Sequence, residues 1–488
     1  MLVTAILAVP LAAGALAGAL PWRRAVGWAM VLANAAVLGL GIALAVEADH
    51  HRVAGGLDGA LRADALSAFM VVVIGAISLL ASIQSIRYLE AEIAGGEHGA
   101  RHASLYSVLV EVFVACMLAA VLSANLGALW VAVEATTIAT TFLVGHRRND
   151  KALEASWKYV LICSVGIALA FFGTVLVYFA ALHVPGHATG ASVLDWTSLM
   201  RASHRLDPGV VRLAMALLVL GYGTKVGLAP MHSWLPDAHS QAPAPVSALM
   251  SGVLLTVAFY ALLRFKAVAD AALGPGFTRG LLVIVGLASL LVAASLLLTQ
   301  RDVKRMLAYH SIEHMGLIAL GAAAGTTLAI AAVLLHILGH GLAKAVLFLA
   351  SGEILLVEGT SEIEKIPALL TRRPLLGGIF GFGLIALLGL PPFSLFVSEL
   401  NMIRGEVDVG LGWAAGLALV AMAVIFAAVL THGRHLLLGG HGTTTTSSAT
   451  SRLVGIPLVG GLVACAAFGL SAWPLQSLLY GAARVVVR

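Results

Sequence analysis

ALLVLGYGTKVGLAPMHSWLP, residues 216–236, begins as a membrane-spanning helix and then breaks its own pattern. The apolar run contains Lys225, and five residues later it meets Pro230, with Pro236 beyond and Gly221, Gly223 and Gly227 close by. Proline removes a backbone donor and clashes with the preceding turn, so the stretch predicts an interrupted helix. At membrane depth such a break is tolerated mainly where the freed backbone faces protein or water, which makes it a marker of an ion path. Burial and a neighbouring carboxylate act on a lysine's proton affinity in opposite senses, so moving that carboxylate can load or release a proton. A structural kink with a snorkelling lysine is the plainer alternative.

The rest of the chain supplies the membrane. Of its 488 residues 60% are hydrophobic and 11% charged, where soluble domains carry roughly 25% charged residues. Mean hydropathy is +0.99. Uncharged or nearly uncharged windows of about 20 residues, enough to cross a hydrocarbon core of about 30 Å, recur along the whole length. They number about fourteen, from 2–20 to 453–473, and their continuous apolarity argues for helices against an outer-membrane barrel. The first window has no basic residue before it and runs into Arg23 and Arg24, the reverse of a signal peptide, so it is expected to remain as a membrane helix. Its Gly14 and Gly18 have the spacing of a helix-packing face. With the N-terminus outside, cytoplasmic connections hold sixteen Lys and Arg, Lys304 among them, against eleven outside. That bias predicts both termini on the extracytoplasmic side. Residues 441–452, HGTTTTSSATSR, read as a polar connection before the last span.

Redox and nucleotide chemistry find no support. Cys116, Cys163 and Cys465 are the only cysteines and form no C-x-x-C pair, so neither an iron–sulfur cluster nor a structural zinc site is expected. G-x-G-x-x-G and P-loop motifs are absent, and no basic run suits nucleic acid.

An intramembrane charge costs about 2.5–3.5 kcal/mol on insertion scales and is a functional hypothesis by default. Glu134 lies in NLGALWVAVEATT (125–137) with Thr137 and Thr141 at i+3 and i+7, a carboxylate and two hydroxyls on one face. A structural pairing of that carboxylate with a lysine is the alternative. His336, His340 and Lys344 follow one another at i, i+4 and i+8 in HILGHGLAKAVLFLASGE (336–353), a ladder suited to proton relay, with metal binding and plain core histidines as weaker readings. In LPPFSLFVSE (390–399), Pro391 and Pro392 predict a second break and Glu399 follows it. Two broken spans five apart, each with one ionisable residue, are the pattern of an inverted five-helix repeat. Glu111 is either a lateral partner or a membrane-end residue. His310, Glu313 and His314 follow a basic cluster and read as either interfacial or functional.

These stretches, with KVGLAPMHSWLPDAHSQAPAPVSALMSG (225–252) and TQRDVKRMLAYHSIEHMG (299–316), resemble the antiporter-like proton-translocating subunits of respiratory complex I, multisubunit sodium/proton antiporters and membrane-bound hydrogenases. The segment 152–182 and HSIEHMG are most similar to the F-type subunits of hydrogenase-4 and formate hydrogenlyase-like complexes. The resemblance implies an all-α polytopic membrane protein of about fourteen helices, with two inverted five-helix repeats and two broken helices. The expected divisions are 1–100, a three-helix segment; 101–270 and 271–437, the repeats; and 438–488, the polar loop and last helix. It also implies a proton path of Glu134, Lys225, His336, His340, Lys344 and Glu399, with Thr137, Thr141, His232 and Thr256 as possible relays beside the breaks at Pro230, Pro391 and Pro392. Thr256 stands where many family members carry a lysine, which puts the continuity of the path in question.

The function so implied is proton translocation within a multisubunit redox complex of a bacterial or archaeal cytoplasmic membrane. This chain would hold no cofactor, and nickel–iron and iron–sulfur centres would belong to peripheral partner subunits. A sodium/proton antiporter subunit, another proton-driven transport module, and a non-conducting scaffold are the alternatives.

Overall fold

The computed structural model describes residues 1–49, 53–96, 98–186, 188, 190–366, 368–439 and 452–487. The expected polar connection 441–452 therefore lies outside the described residues, apart from the helix start at 452. The chain opens with α1 (Leu2–Ala19) and α2 (Arg24–Asp49), a two-stranded antiparallel hairpin of β1 (Ala54–Gly56) and β2 (Leu61–Ala63), and α3 (Ala65–Ala94). Next come α4 (Ala100–Leu122), α5 (Leu126–Val144), α6 (Asp150–Leu182), the short α7 (Trp196–Ala202), α8 (Pro208–Val226), α9 (Trp234–Gln241) and α10 (Ala244–Leu249). A π-helical segment, Met250–Leu254, joins α10 to α11 (Leu255–Leu273). The second half holds α12 (Pro275–Leu297), α13 (Val303–Ala324), α14 (Thr327–Glu358), the short α15 (Leu369–Arg372), α16 (Pro374–Leu387), α17 (Ser394–Asp408), α18 (Gly412–Leu438), α19 (Arg452–Leu470) and α20 (Trp473–Val486).

Among the described residues eleven helices are long and apolar enough to span a membrane, counting α10 to α11 as one. Bent by 75°, the pair α19–α20 makes a twelfth. The two other expected windows fall on α13, which is too polar to qualify by composition, and on the broken pair α16–α17. The last window differs in shape: α19 stops at Leu470, and Pro474 enters the first turn of a second helix that folds back against α3 and α14. Helix starts follow the sequence closely. Asp64, Asn125, Asn149, Asp207, Asp302 and Thr326 each accept a backbone N–H of the first turn of α3, α5, α6, α8, α13 and α14.

The helices sort by burial. The most apolar windows of α1 and α2 are 33% buried, whereas those of α10–α11 and α14 are fully enclosed by other helices. Polar side chains on α14 therefore face protein on every side. α6 and α8 approach closely through small residues: a Cβ at Gly221 would lie 2.4 Å from the backbone N of Ala170, and one at Gly166 2.4 Å from Cβ of Thr224.

Both breaks share one local design. Gly227-Leu228-Ala229-Pro230 and Gly389-Leu390-Pro391-Pro392 each begin with a glycine in the left-handed region, at φ +83° and +61°. Each glycine N–H bonds to the carbonyl three residues back, Thr224 or Ala386, and each following leucine N–H to the one five back, Gly223 or Ile385. This is a Schellman cap, which satisfies carbonyls that an abrupt stop would leave bare. The prolines then forbid continuation.

One buried ion pair ties the N-terminal segment to α11. The Arg264 guanidinium donates two bonds of 2.7 Å to the Asp64 carboxylate and further bonds to Tyr260 Oη (3.0 Å) and Ser67 Oγ (3.0 Å). It also lies 4.7 Å from the Trp196 ring. Both charges are nearly inaccessible to water, so removing one partner strands the other. Asp64→Ala is expected to destabilise the protein by about 3–5 kcal/mol, and the double change to Leu at 64 and Met at 264 to recover most of that loss. Thermal unfolding of the purified protein in detergent checks both.

Candidate functional site

Close approach of α6 and α8 brings Tyr159 onto Lys225. The fully buried ammonium donates to Tyr159 Oη at 2.6 Å and to Thr137 Oγ1 of α5 at 2.9 Å, and it lies 4.8 Å from the Tyr159 ring centroid. Thr137 in turn donates to Glu134 Oε2 at 3.1 Å. Glu134 and Lys225 thus meet through a hydroxyl, with no direct ion pair between them. Tyr159 Oη pairs with Thr140 Oγ1, whose own proton goes to the Thr136 carbonyl.

Donor directions define two chains leading away from Lys225. One runs through Thr137 and ends on a carboxylate that can take a proton. The other runs through Tyr159 and Thr140 and ends on a backbone carbonyl that cannot. Thr141 joins neither, because its hydroxyl donates to the carbonyl of Thr137. Half-buried beside the break, His232 leaves its Nδ1 without a protein partner.

The second group of titratable residues lies on α13, α14 and α17. His310, Glu313 and His314 are buried among the helices, 2%, 4% and 1% exposed. His314 Nδ1 and His336 Nε2 are 2.9 Å apart, and His336 Nδ1 is 3.0 Å from Ser398 Oγ. Ser398 spends its proton on the Leu395 carbonyl, so it must accept from His336 Nδ1–H. That leaves His336 Nε2 as an acceptor and fixes His314 Nδ1 as its donor. His314 Nε2, which makes no hydrogen bond in the protein, is then a free lone pair where a proton can enter.

Ring stacking continues the contact. His310 and His314 lie 4.8 Å apart between centroids, and His314 and His340 also 4.8 Å. His310 Nδ1 touches Glu313 Oε2 at 2.7 Å. One oxygen of Glu399 and one ring nitrogen each of His314 and His336 lie within 4.8 Å of one another. Those donors could hold a cation by distance alone, but the His314–His336 bond already occupies the facing nitrogens. The Glu399 carboxylate covers Gly389 at the second break, where a Cβ would fall 2.2 Å from Oε2.

Lys344, fully buried, donates to the Leu307 carbonyl. Ser311 donates to that same carbonyl at 3.1 Å and pairs with Ser251 of the π-helical segment at 2.8 Å. His239 of α9 stacks on Phe348, one turn beyond Lys344, and both its ring nitrogens lack protein hydrogen-bond partners, as do both of His340. Buried polar atoms are normally satisfied by protein or ordered water, so these ring nitrogens mark places where water can bridge.

Between the halves lies Thr256, buried, its hydroxyl turned back onto Val253. Among the described residues no hydrogen bond joins the Lys225 group to the ladder. On one flank a polar cavity of about 640 Å³ is lined by Lys158, Asp237, Arg305 and Glu362 among others. Lys304, counted above among the loop cations, also lines it, nearly fully buried, and donates to the carbonyls of Ser240 and Ala242.

Sequence reasoning missed Tyr159, Ser398 and His239 as members of these groups. KYVLI, LPPFSLFVSE and PDAHS contain them, but pairing across helices is not written in their own spacing. Glu111, left open above, proves to be a lateral partner: buried, it accepts a 2.8 Å bond from Asn34 of α2.

Fold and site together define a polytopic helical membrane protein with two capped breaks and a buried line of titratable side chains. The family described as NADH:quinone oxidoreductase/Mrp antiporter, transmembrane, matches residues 123–431, and the chain belongs to it. It is 44% identical over 271 residues, 56% of each chain, to the hydrogenase-4 component F homolog of Methylacidiphilum infernorum. It is 32% identical over 383 residues to hydrogenase-4 component B of Escherichia coli, covering 75% of this chain and 54% of that one. These alignments span little more than half the length of the curated relatives. A chain of the archaeal membrane-bound sulfane sulfur reductase, a respiratory membrane complex, shares the fold, with a TM-score of 0.87 at 24% identity over 100% of this chain and 98% of that one.

Because only the Thr137 chain ends on a titratable group, Thr137→Val and Tyr159→Phe are expected to differ. A hydrogen bond to a charged group is worth about 1.5–3 kcal/mol, so Thr137→Val should slow proton transfer about 10- to 100-fold. Tyr159→Phe should slow it several-fold less. Proton flux across vesicles carrying each variant makes the comparison.

Proposed function

We propose that the chain is a proton-translocating membrane subunit of a multisubunit, hydrogenase-4-like or NADH dehydrogenase-like redox complex. The observation that carries this is the directed chain from Lys225 through Thr137 to Glu134. A lysine without a direct counter-ion can release its proton through one hydroxyl to a carboxylate, and a shift of α5 against α8 interrupts that route. Glu134, Lys225, Lys344, His336, His340 and Glu399 are the titrating residues in this reading, and His310, Glu313 and His314 join them. Thr137 is a direct relay, and His232 lies where water can reach it beside Pro230. Between Lys225 and the ladder protons cross on water past Thr256. Residues 101–270 and 271–437 act as two half-units, which the matching caps at Gly227 and Gly389 support.

Electrons stay in other subunits in this proposal, on nickel–iron and iron–sulfur centres, and reach the path as charge or conformational change. The parent complex lies in a prokaryotic cytoplasmic membrane with both termini of this chain outside. Sodium dependence of transport would instead favour an exchanger.

Lys225→Ala is expected to abolish redox-linked proton translocation in vesicles while the complex remains assembled. Lys225→Arg should fail as well, because arginine keeps its proton at accessible pH. Unchanged proton uptake by either variant would refute the pump assignment.

A further inference from the structure

Away from that line, three histidines converge at one membrane end of the helices. His98 lies in the connection from α3 to α4, His102 in the first turn of α4, and His146 just after α5. One ring nitrogen from each lies within 4.8 Å of the others. The His98 and His102 rings stack with centroids 4.0 Å apart, and the His146 ring lies tilted against His102 at 4.4 Å. None of the three belongs to the proton path proposed above.

We propose that His98, His102 and His146 form a binding site for a late first-row divalent metal ion, with Zn²⁺ the best fit. Hydrogen bonding prepares the donors. His146 Nε2 is 2.9 Å from the Glu92 carboxylate, and His102 Nε2 is 3.2 Å from the His146 carbonyl. A carboxylate and a carbonyl only accept, so both Nε2 atoms carry the proton and both Nδ1 atoms present lone pairs. Metal-bound histidines are held in this way, the second ring nitrogen donating to a carboxylate or a carbonyl. His98 Nδ1, buried, has no hydrogen-bond partner.

Three imidazoles suit zinc, copper or nickel and are poor partners for magnesium or calcium. Tetrahedral zinc with Zn–N of about 2.0–2.1 Å brings its donors to about 3.4 Å apart, so the nitrogens must close from within 4.8 Å and the stacked His98 ring must turn out of parallel with His102 to aim its lone pair at the same point. His98, on a connection and 16% exposed, supplies both that adjustment and an entry route. Glu92 provides the offsetting charge: Oε2 lies 3.9 Å from His98 Nδ1, and Tyr88 donates to Oε1. A fourth position remains for water. The metal would clamp the ends of α3, α4 and α5 where Arg147, next to His146, enters the polar cavity.

The test is titration of the full-length, chelator-stripped protein with Co²⁺ and then Zn²⁺. Readouts are the visible bands of low-coordinate cobalt, metal content after gel filtration, and unfolding temperature. The wild type should bind one equivalent that raises the unfolding temperature. His98→Gln, in a connection and harmless to folding, and His102→Gln should each weaken binding at least tenfold, while His314→Gln in the buried ladder should not. Glu92→Gln should weaken it about 10- to 100-fold, as loss of an outer-shell partner does. Absence of saturable binding overturns the site, and so does binding that survives His98→Gln and His102→Gln or disappears only with His314→Gln. Proton flux enters none of these readouts, so failure here leaves the pump reading standing.

Discussion

An ammonium group buried among helices must be solvated by the protein, because neither water nor lipid can do it. An isolated charge in a low-dielectric interior costs several kcal/mol, and a close carboxylate repays that only by holding the proton in place. Lys225 takes a middle course. Two hydroxyls and the face of Tyr159 solvate it, while the carboxylate stands one hydroxyl away. Charge is tolerated without being locked, as the proton-carrying role proposed for Lys225 requires and a structural ion pair does not. The contrast lies in the same molecule: Arg264 grips Asp64 with two direct bonds and has no route for a proton.

Everything around Lys225 serves that arrangement. The glycines of α6 and α8 allow Tyr159 to come within reach, and the cap at Gly227 ends α8 two residues after the lysine, so the peptide groups beyond it are satisfied without continuing the helix. In the second half Gly389 leaves room for the Glu399 carboxylate itself. Small residues are thus placed by what must lie against them, as in helix packing generally within membranes.

Much of this was legible in the sequence, because membrane constraints write themselves in one dimension. Apolar length, proline and lone charges located the breaks at Pro230 and Pro391–Pro392 and picked out Glu134, Lys225, the ladder and Glu399. Tertiary partners were not legible. Tyr159 sits in an ordinary amphipathic turn of α6, and Ser398 is one serine among many; only the approach of other helices gives each a role. His310, Glu313 and His314 were open to an interfacial or a functional reading because Lys304 and Arg305 precede them. Lys304 is itself buried, donating to the carbonyls that end α9, so the basic cluster lies deeper than its composition suggests. Thr141 shows the opposite error: correct spacing placed it on the face of Glu134, but its hydroxyl found a nearer acceptor in its own helix.

The two breaks carry the same backbone and different chemistry. Gly-Leu-Ala-Pro and Gly-Leu-Pro-Pro make the same cap, yet the first follows a lysine and the second precedes a glutamate. A strict duplication would place like charges at both ends of the line, which repel and would hold both protons loosely or both tightly. Opposite types let one end favour the loaded state and the other the empty one. The histidine bonds between them have a sense too, since Ser398 forces His336 to donate toward α17 and to accept from His314. Ser398 gives its own proton to the Leu395 carbonyl, so, as on the Tyr159 branch, this arrangement offers a proton no exit beyond His336. Opening that exit requires the histidine rings or their serine partner to turn.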